Sequence, residues 1–208
     1  MSRTPQRALL IFTRNPEPGK CKTRLAASIG DEAALDIYRF LLRHTAAIAR
    51  ELNGVDTFVY FSDHPGDGSF WDPSVFQYRL QKGEDLGARM LQAFREAFSM
   101  GYSEVVLIGS DLYDLSTADL EASFQELERH EVVIGPASDG GYYLIGMKHP
   151  IPALFKGKQW GKDSVLQDTL ADLEGFRSFL LPVRNDVDRY EDIEGNPVFK
   201  PFLNHNKP

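Results

Sequence analysis

The stretch Thr13–Leu25 concentrates positive charge directly after a short apolar run. It carries Arg14, Lys20, Lys22 and Arg24 in a protein of formal net charge -7. Arginine and lysine side chains, together with backbone N–H groups, commonly bind phosphate. Because alternate side chains of an extended chain point to one side, the spacing predicts that the last three cations face one anion. The glycine patterns of the P-loop and the dinucleotide fingerprint are absent, and a solvated basic loop is the alternative.

A carboxylate follows a second apolar run. Val105–Ile108 leads directly into Gly109, Ser110 and Asp111. Mg²⁺ prefers oxygen ligands and is usually held by one or two carboxylates together with substrate phosphates. Asp111 is therefore a candidate metal ligand, and Gly109 would permit a close backbone approach. The alternative is an aspartate that serves only the turn or the next helix.

Two later segments could also do chemistry. Asp186 and Asp188 are one residue apart, so an extended chain would point both to the same side; a solvated acidic turn is the alternative. Residues 138–141 read Ser-Asp-Gly-Gly, which is typical of a tight hairpin turn. The same four residues could instead bring a carboxylate, Asp139, to a substrate as a contact or a base.

Apolar periodicity predicts the elements that position these residues. Strands are expected at 8–12, 58–61, 75–80, 105–108, 132–134, 142–145 and 179–181, with helices at 31–52, 86–100, 117–129 and 163–173 and a loop at 63–73. The alternation predicts an α/β fold with three αβα layers and a mostly parallel sheet, followed by a hairpin. Ligands of such sheets bind beyond the carboxyl ends of the strands, where the basic stretch and Asp111 fall.

Composition narrows the class of protein. The 208 residues, 42% of them hydrophobic, suffice for one domain spanning 1–208. A lone cysteine, Cys21, excludes an intrachain disulfide, and five scattered histidines do not suggest zinc. The acidic charge argues against nucleic acid as a partner. The sequence contains neither a membrane-spanning run nor a signal peptide, so a cytoplasmic location is expected.

The motifs, taken in order, resemble a bacterial glycosyltransferase-A-like transferase family that has the nucleotide-diphospho-sugar transferase fold and is related to phospholactate guanylyltransferase. They lie at residues 11–26, 83–89, 109–111, 138–143, 160–164 and 186–188, within a resemblance that spans about residues 7 to 195. Tyr113 stands where that family usually has proline. This departure puts the geometry of the loop after Asp111 in doubt.

The resemblance implies a transferase that binds a nucleotide and a small-molecule acceptor and depends on Mg²⁺ or Mn²⁺. The metal would be held by Asp111 and Asp188. The residues expected in catalysis are Asp111, Asp139, Lys22 and Arg24. Those expected to bind nucleotide are Thr13, Arg14, Gly19, Lys20, Lys22, Arg24, Gly83 and Gly109. Those expected to bind the acceptor are Asp139, Gly140, Gly141 and Trp160.

Two versions of the reaction fit these residues. Nucleotidyl transfer from a nucleoside triphosphate to a phosphorylated or sugar-like acceptor is favoured, because three cations suit a triphosphate better than a diphosphate. Glycosyl transfer from a nucleotide-diphospho-sugar is the alternative, and a non-catalytic nucleotide-binding module is a second. An oxidoreductase that binds a flavin or a dinucleotide lacks its glycine fingerprint here. The base, the acceptor and the oligomeric state stay open.

Overall fold

The computed structural model describes residues 6–66 and 68–203. The strands are β1 (Arg7–Thr13), β2 (Val55–Phe61), β3 (Phe76–Leu80), β4 (Glu104–Ile108), β5 (Val132–Pro136), β6 (Tyr142–Met147) and β7 (Ser178–Leu180). The helices are α1 (Thr23–Ile29), α2 (Asp31–Arg50), α3 (Leu86–Ser99), α4 (Thr117–Arg129), α5 (Val165–Ala171) and α6 (Lys200–Leu203). Two short 3₁₀ turns cover Pro152–Phe155 and Tyr190–Asp192.

The seven strands form one sheet in the order β3-β2-β1-β4-β6-β5-β7. Neighbouring strands are parallel except at β6, which runs antiparallel to both β4 and β5. The predicted mostly parallel sheet and its hairpin are therefore confirmed. β1 lies between β2 and β4, so the chain reverses its direction of travel across the sheet there. Such a switch point leaves a crevice at the carboxyl ends of the two strands.

Helices cover both faces of the sheet, as the three-layer prediction requires. Alternate β1 residues divide between the faces: Leu9 and Ile11 pack beneath α2 and α4, whereas Leu10 and Phe12 pack beneath α3. Because the strands are buried on both faces, they read as continuous apolar runs. Each fully buried Leu or Phe side chain contributes about 1.5–3 kcal/mol, so the sheet is a firm base for side chains at its edge.

The basic stretch is not extended, and here the spacing argument was wrong. Gly19 and Lys22 have φ of 69° and 52°, and α1 begins directly afterwards at Thr23. A left-handed residue turns the chain sharply, so the cations at 20, 22 and 24 lie in a turn, at a helix start and within a helix. Burial of Leu25 against α2 and residues near the C-terminus stabilises this arrangement.

The remaining element predictions differ from the structure only at their ends. α2 stops at Arg50 rather than Leu52, and α5 covers 165–171 rather than 163–173. The predicted loop at 63–73 contains no strand or helix among its described residues, and residue 67 lies outside them. The predicted domain 1–208 also includes residues 1–5 and 204–208, which lie outside the described residues. Among the helices of the described residues, none has the length and apolarity needed to cross a membrane.

Candidate active site

A cavity of about 910 Å³, the main cavity, opens at the carboxyl ends of β1 and β4. The basic stretch forms one wall, and Gly109, Ser110 and Asp111, which follow the neighbouring strand β4, form a second. Asp188 closes one end, and the start of α3 closes another. The fold thus brings together residues that are far apart in sequence, at the place where open α/β sheets bind ligands.

The hydroxyl of Tyr38 ties the two walls together. It lies 3.2 Å from Thr13 Oγ1 and 3.4 Å from Ser110 Oγ, and it accepts a 2.9 Å hydrogen bond from the Arg14 amide. Thr13 is almost fully buried, and its hydroxyl is within hydrogen-bond distance of the Tyr38 and Ser110 hydroxyls. Tyr38 lies on the buried face of α2. No role in the site was assigned to it from the sequence, although a tyrosine hydroxyl on a mainly apolar helix face was a signal for one.

Lys22 and Asp111 form an ion pair inside the main cavity. Lys22 Nζ lies 2.9 Å from Asp111 Oδ2, with 6% and 38% of the two side chains exposed. Burial disfavours the charged ammonium, but the Asp111 carboxylate raises the pKa of Lys22 above its ordinary value. Lys22 therefore stays cationic across the physiological range. A predicted phosphate ligand and a predicted metal ligand neutralise one another.

A second ion pair repeats this arrangement at the end of the cavity. Arg24 Nη1 donates to Asp188 Oδ2 at 2.9 Å. The Val187 amide donates to the Asp111 carbonyl oxygen at 3.0 Å, which fixes the segment that carries Asp188 alongside Asp111. Lys20, by contrast, is 72% exposed and pairs with Glu17 within its own turn.

Three further carboxylates, those of Asp139, Asp186 and Asp188, lie around Asp111. Burial and the neighbouring negative charges of Asp111 and Asp139 raise the pKa of Asp186 to about 6. Asp188 follows two residues later in the sequence, after the buried Val187. Within the part of the chain that the structure describes, no three His, Cys, Asp or Glu side chains are grouped as a ready-made metal centre. Mg²⁺ commonly needs only one or two carboxylates, with phosphate and water supplying the rest. The partly exposed carboxylates of Asp111 and Asp188 fit that requirement.

A side pocket of about 250 Å³ adjoins the main cavity next to β6. It contains three of the four predicted acceptor residues: Asp139, Gly141 and Trp160. Gly140 lies behind them, since a Cβ there would come within 2.2 Å of the Asp163 carbonyl oxygen. Gly140 is therefore needed for packing against the Asp163 backbone, whereas the resemblance implied a role in binding the acceptor.

The glycines predicted to bind nucleotide divide into two kinds. A Cβ at Gly109 would lie 2.9 Å from Asp111 Oδ1, so its absence makes room for that carboxylate. A Cβ at Gly83 would lie 2.7 Å from the Arg89 amide nitrogen, which shows that Gly83 packs against the first turn of α3. Of the described residues, the lining of the main cavity includes Gly109 but neither Gly19 nor Gly83.

Arg89 is a cation of the main cavity that sequence reasoning missed. Its Nε donates to the Gly83 carbonyl oxygen at 3.1 Å, and its Nη1 donates to Gln81 Oε1 at 3.4 Å. Gln81 in turn donates to the carbonyl oxygen of Thr13 at 3.1 Å. The motif at residues 83–89 was recognised from the sequence, but only Gly83 within it was assigned to nucleotide binding.

Tyr113, which replaces the usual proline, packs away from the main cavity. Its ring lies 5.1 Å from His44, 5.6 Å from Phe40 and 5.5 Å from Phe199, measured between ring centroids. This aromatic cluster fixes the loop after Asp111 by packing. The departure from the family pattern therefore leaves the Asp111 carboxylate in the cavity.

Comparison with known families and structures supports the fold. Residues 45–162 match the model of a family described as "Uncharacterized protein conserved in bacteria (DUF2064)". A protein from Desulfovibrio desulfuricans G20, provisionally described as a nucleotide-diphospho-sugar transferase, is 30% identical over 98% of this chain and 96% of its own, with a TM-score of 0.86. A search of curated proteins finds no match.

More distant structures share the same architecture. A cytidylyltransferase from Leptospira borgpetersenii is 15% identical over 92% of this chain and 84% of its own, with a TM-score of 0.58. A 4-diphosphocytidyl-2C-methyl-D-erythritol synthase from Anaerococcus prevotii is 11% identical over 96% of each chain, with a TM-score of 0.60. At these identities the likeness concerns the fold. The predicted nucleotide-diphospho-sugar transferase fold is confirmed.

Proposed function

The chain belongs to the DUF2064 family of bacterial proteins, and we propose that it is a metal-dependent transferase that moves a nucleotidyl group from a nucleoside triphosphate to an acceptor. The transferase descriptions of the Desulfovibrio protein and of the cytidylyltransferase support the class of enzyme. The main cavity, with its basic wall and acidic end, supports the choice of a nucleotide as the ligand.

The observation that carries this proposal is the pair of ion pairs, Lys22–Asp111 and Arg24–Asp188. In each, a cation suited to phosphate is neutralised by a carboxylate suited to a divalent metal. A nucleotide bound with its metal supplies both kinds of partner at once. Phosphate oxygens can replace the carboxylates at Lys22 and Arg24, while Asp111 and Asp188 turn to the metal. Such an exchange leaves no buried charge unpaired, whereas a free phosphate alone would.

The residues of the protein act mainly by positioning the substrates and by stabilising their negative charge. Lys22 and Arg24 hold the phosphates in place, and Arg14 and Arg89 line the same cavity as further cations. Asp139, which lines the side pocket, is the residue to which we assign the proton of the attacking acceptor oxygen. When bound by Asp111 and Asp188, Mg²⁺ or Mn²⁺ would supply charge stabilisation for the leaving pyrophosphate.

Glycosyl transfer is the second candidate, because the description of the Desulfovibrio protein refers to a nucleotide-diphospho-sugar. The same residues would then hold a diphosphate, and the acceptor would attack a sugar carbon. The leaving group distinguishes the two reactions: pyrophosphate in the first and a nucleoside diphosphate in the second. The two reactions also differ in the ligand that the main cavity should bind most tightly, which is a triphosphate in the first and a diphosphate in the second.

A thermal-shift screen with nucleoside triphosphates and nucleotide sugars, with and without Mg²⁺ or Mn²⁺, tests the proposal. A ligand at about 100 times its Kd stabilises the folded state by about 2.7 kcal/mol. We expect a triphosphate to stabilise the protein only when metal is present. Preference for a nucleotide sugar would favour the glycosyl version. Absence of any metal-dependent nucleotide effect would rule out both versions.

A further inference from the structure

The side pocket has a different chemistry from the main cavity. Its walls are mainly apolar and include Phe12, Met90, Leu107, Tyr142 and Trp160. A cavity of about 150 Å³ lined by apolar side chains is large enough for benzene, so about 250 Å³ accommodates a substituted six-membered ring. The pocket is thus shaped for an apolar body rather than for a flexible, highly hydrated ligand.

Trp160 forms the outer wall of this pocket, and the fold fixes its place. A Cβ at Gly87 would lie 2.5 Å from Cζ2 of the indole, so the glycine at the start of α3 makes room for the ring. The Tyr142 ring meets the indole edge to face, with centroids 6.4 Å apart. Aromatic walls held in this way contribute binding energy through area and stacking at little cost in side-chain entropy.

The charges around the side pocket are unsuited to a phosphate on the acceptor. Among the described residues that line it, Lys162 is the one cation, against the carboxylates of Asp111, Asp139 and Asp186. A groove of about 530 Å³ continues outward from the pocket and is also rich in aspartate, with Asp163 and four others against three cations. A phosphate ester needs a cluster of donors that is not already neutralised to offset its desolvation, and in both spaces the carboxylates outnumber the cations.

We infer that the acceptor is an alcohol with an apolar ring or alkyl body and no phosphate of its own. The inference rests on the proposed function, because it assigns the side pocket to the acceptor. In the transfer, the alcohol oxygen forms a bond to the α-phosphorus and its proton passes to the Asp139 carboxylate. The bond from the α-phosphorus to the pyrophosphate oxygen breaks, and its electron pair leaves on pyrophosphate. This differs from the phosphorylated or sugar-like acceptor that the sequence suggested.

Ligand-observed NMR titration with benzyl alcohol and benzyl phosphate tests the inference on the full chain. The buffer contains Mg²⁺ and a non-hydrolysable nucleoside triphosphate, so that the cations of the main cavity are already engaged and the probes report on the side pocket. Benzyl alcohol should bind at least about tenfold more tightly than its phosphate ester. Trp160→Ala should weaken benzyl alcohol about two- to tenfold. Phe70→Ala is the matched control, because Phe70 is a half-buried aromatic outside the pocket that stacks with Arg43. If Trp160→Ala fails to fold, Leu86→Ala removes a more exposed wall residue for the same purpose.

Each outcome decides the matter. Equal or tighter binding of benzyl phosphate, failure of both probes to bind, or no loss in the folded wall variant would overturn the inference. The nucleotide thermal-shift screen on the same samples keeps the two proposals apart. Metal-dependent nucleotide binding together with a preference for benzyl phosphate would reject only this acceptor class. Benzyl alcohol binding without any nucleotide effect would support the chemistry of the pocket and reject the proposed transferase.

Discussion

Lys22 Nζ lies 2.9 Å from Asp111 Oδ2, so the cation that we propose for phosphate binding is paired with the carboxylate that we propose for metal binding. The Lys22 side chain is buried and that of Asp111 is partly open to solvent. A metal that binds Asp111 without nucleotide must therefore displace the Lys22 ammonium from that carboxylate. Metal and nucleotide binding should be cooperative for this reason, since each frees the partner that the other needs.

Replacing Lys22 by Met should strengthen binding of Mn²⁺ in the absence of nucleotide, because Asp111 then lacks a competing cation. The methionine chain fills similar space, so the fold should persist. In the same variant, nucleotide should bind about tenfold more weakly. Isothermal titration with each ligand alone measures both effects. Lys148→Met is the control, since the Lys148 ammonium donates to the Glu128 carbonyl oxygen and does not line the main cavity. Unchanged Mn²⁺ affinity in Lys22→Met would contradict the competition.

Asp111→Asn should keep the fold and abolish the enhancement of nucleotide binding by metal. The change leaves the Lys22 ammonium without its carboxylate, so the free energy of unfolding should fall by about 1–3 kcal/mol. The double variant Lys22→Met/Asp111→Asn should recover most of that loss, because the unpaired charge is gone. Urea unfolding of the four proteins gives the coupling between the two residues. Additive effects would mean that the ion pair contributes nothing.

Asp188→Ala should weaken metal affinity in the presence of nucleotide far more than Asp186→Ala does. Asp188 lines the main cavity beside Arg24, whereas Asp186 lies toward the side pocket. Titration of Mn²⁺ into the nucleotide complex of each variant compares them directly. Equal losses would show that the segment acts only as a charged turn, and a larger loss for Asp186 would exchange the two roles.

Much of the fold follows from local pattern. Apolar runs identify the strands because a strand buried on both faces has no polar side, and the carboxyl ends of parallel strands meet at one edge. That rule alone placed Asp111 and the basic stretch together. The helix α2 was equally readable, because its apolar residues recur at helical spacing. The hairpin of β5 and β6 followed from its Asp-Gly turn.

The two ion pairs of the site could not be predicted from local sequence patterns. Lys22 and Asp111 are 89 residues apart, and Arg24 and Asp188 are 164 apart, so only the folded chain brings them into contact. The left-handed backbone conformation of Lys22 was also not predictable from the sequence, because residues other than glycine seldom adopt this conformation. Without that turn, the three cations seemed to share one side.

Arg24→Ala should weaken nucleotide binding about tenfold or more, since a charge-assisted hydrogen bond to phosphate contributes about 1.5–3 kcal/mol. The loss should be larger for triphosphates if the protein transfers nucleotidyl groups. It should be confined to nucleotide sugars if the protein transfers sugars. Arg39→Ala is the control, because Arg39 pairs with Asp36 on α2. If Arg24→Ala binds both ligand classes as tightly as the wild type does, the basic stretch does not bind nucleotide phosphate.

Asp186→Asn should stabilise the metal-free protein at neutral pH but not at pH 4. The folded pKa of Asp186 is about 6 against an ordinary value of 3.8. The folded state therefore holds a proton that the unfolded chain releases, and stability falls as the pH rises between these values. Two pKa units correspond to about 3 kcal/mol at most, and partial exposure reduces this to about 1 kcal/mol.

The Tm advantage of the variant should thus grow to about 2–4 °C by pH 7.5. Differential scanning calorimetry in EDTA measures it against Asp36→Asn, a carboxylate outside the site. A pH-independent difference would mean that Asp186 is not crowded by its neighbours.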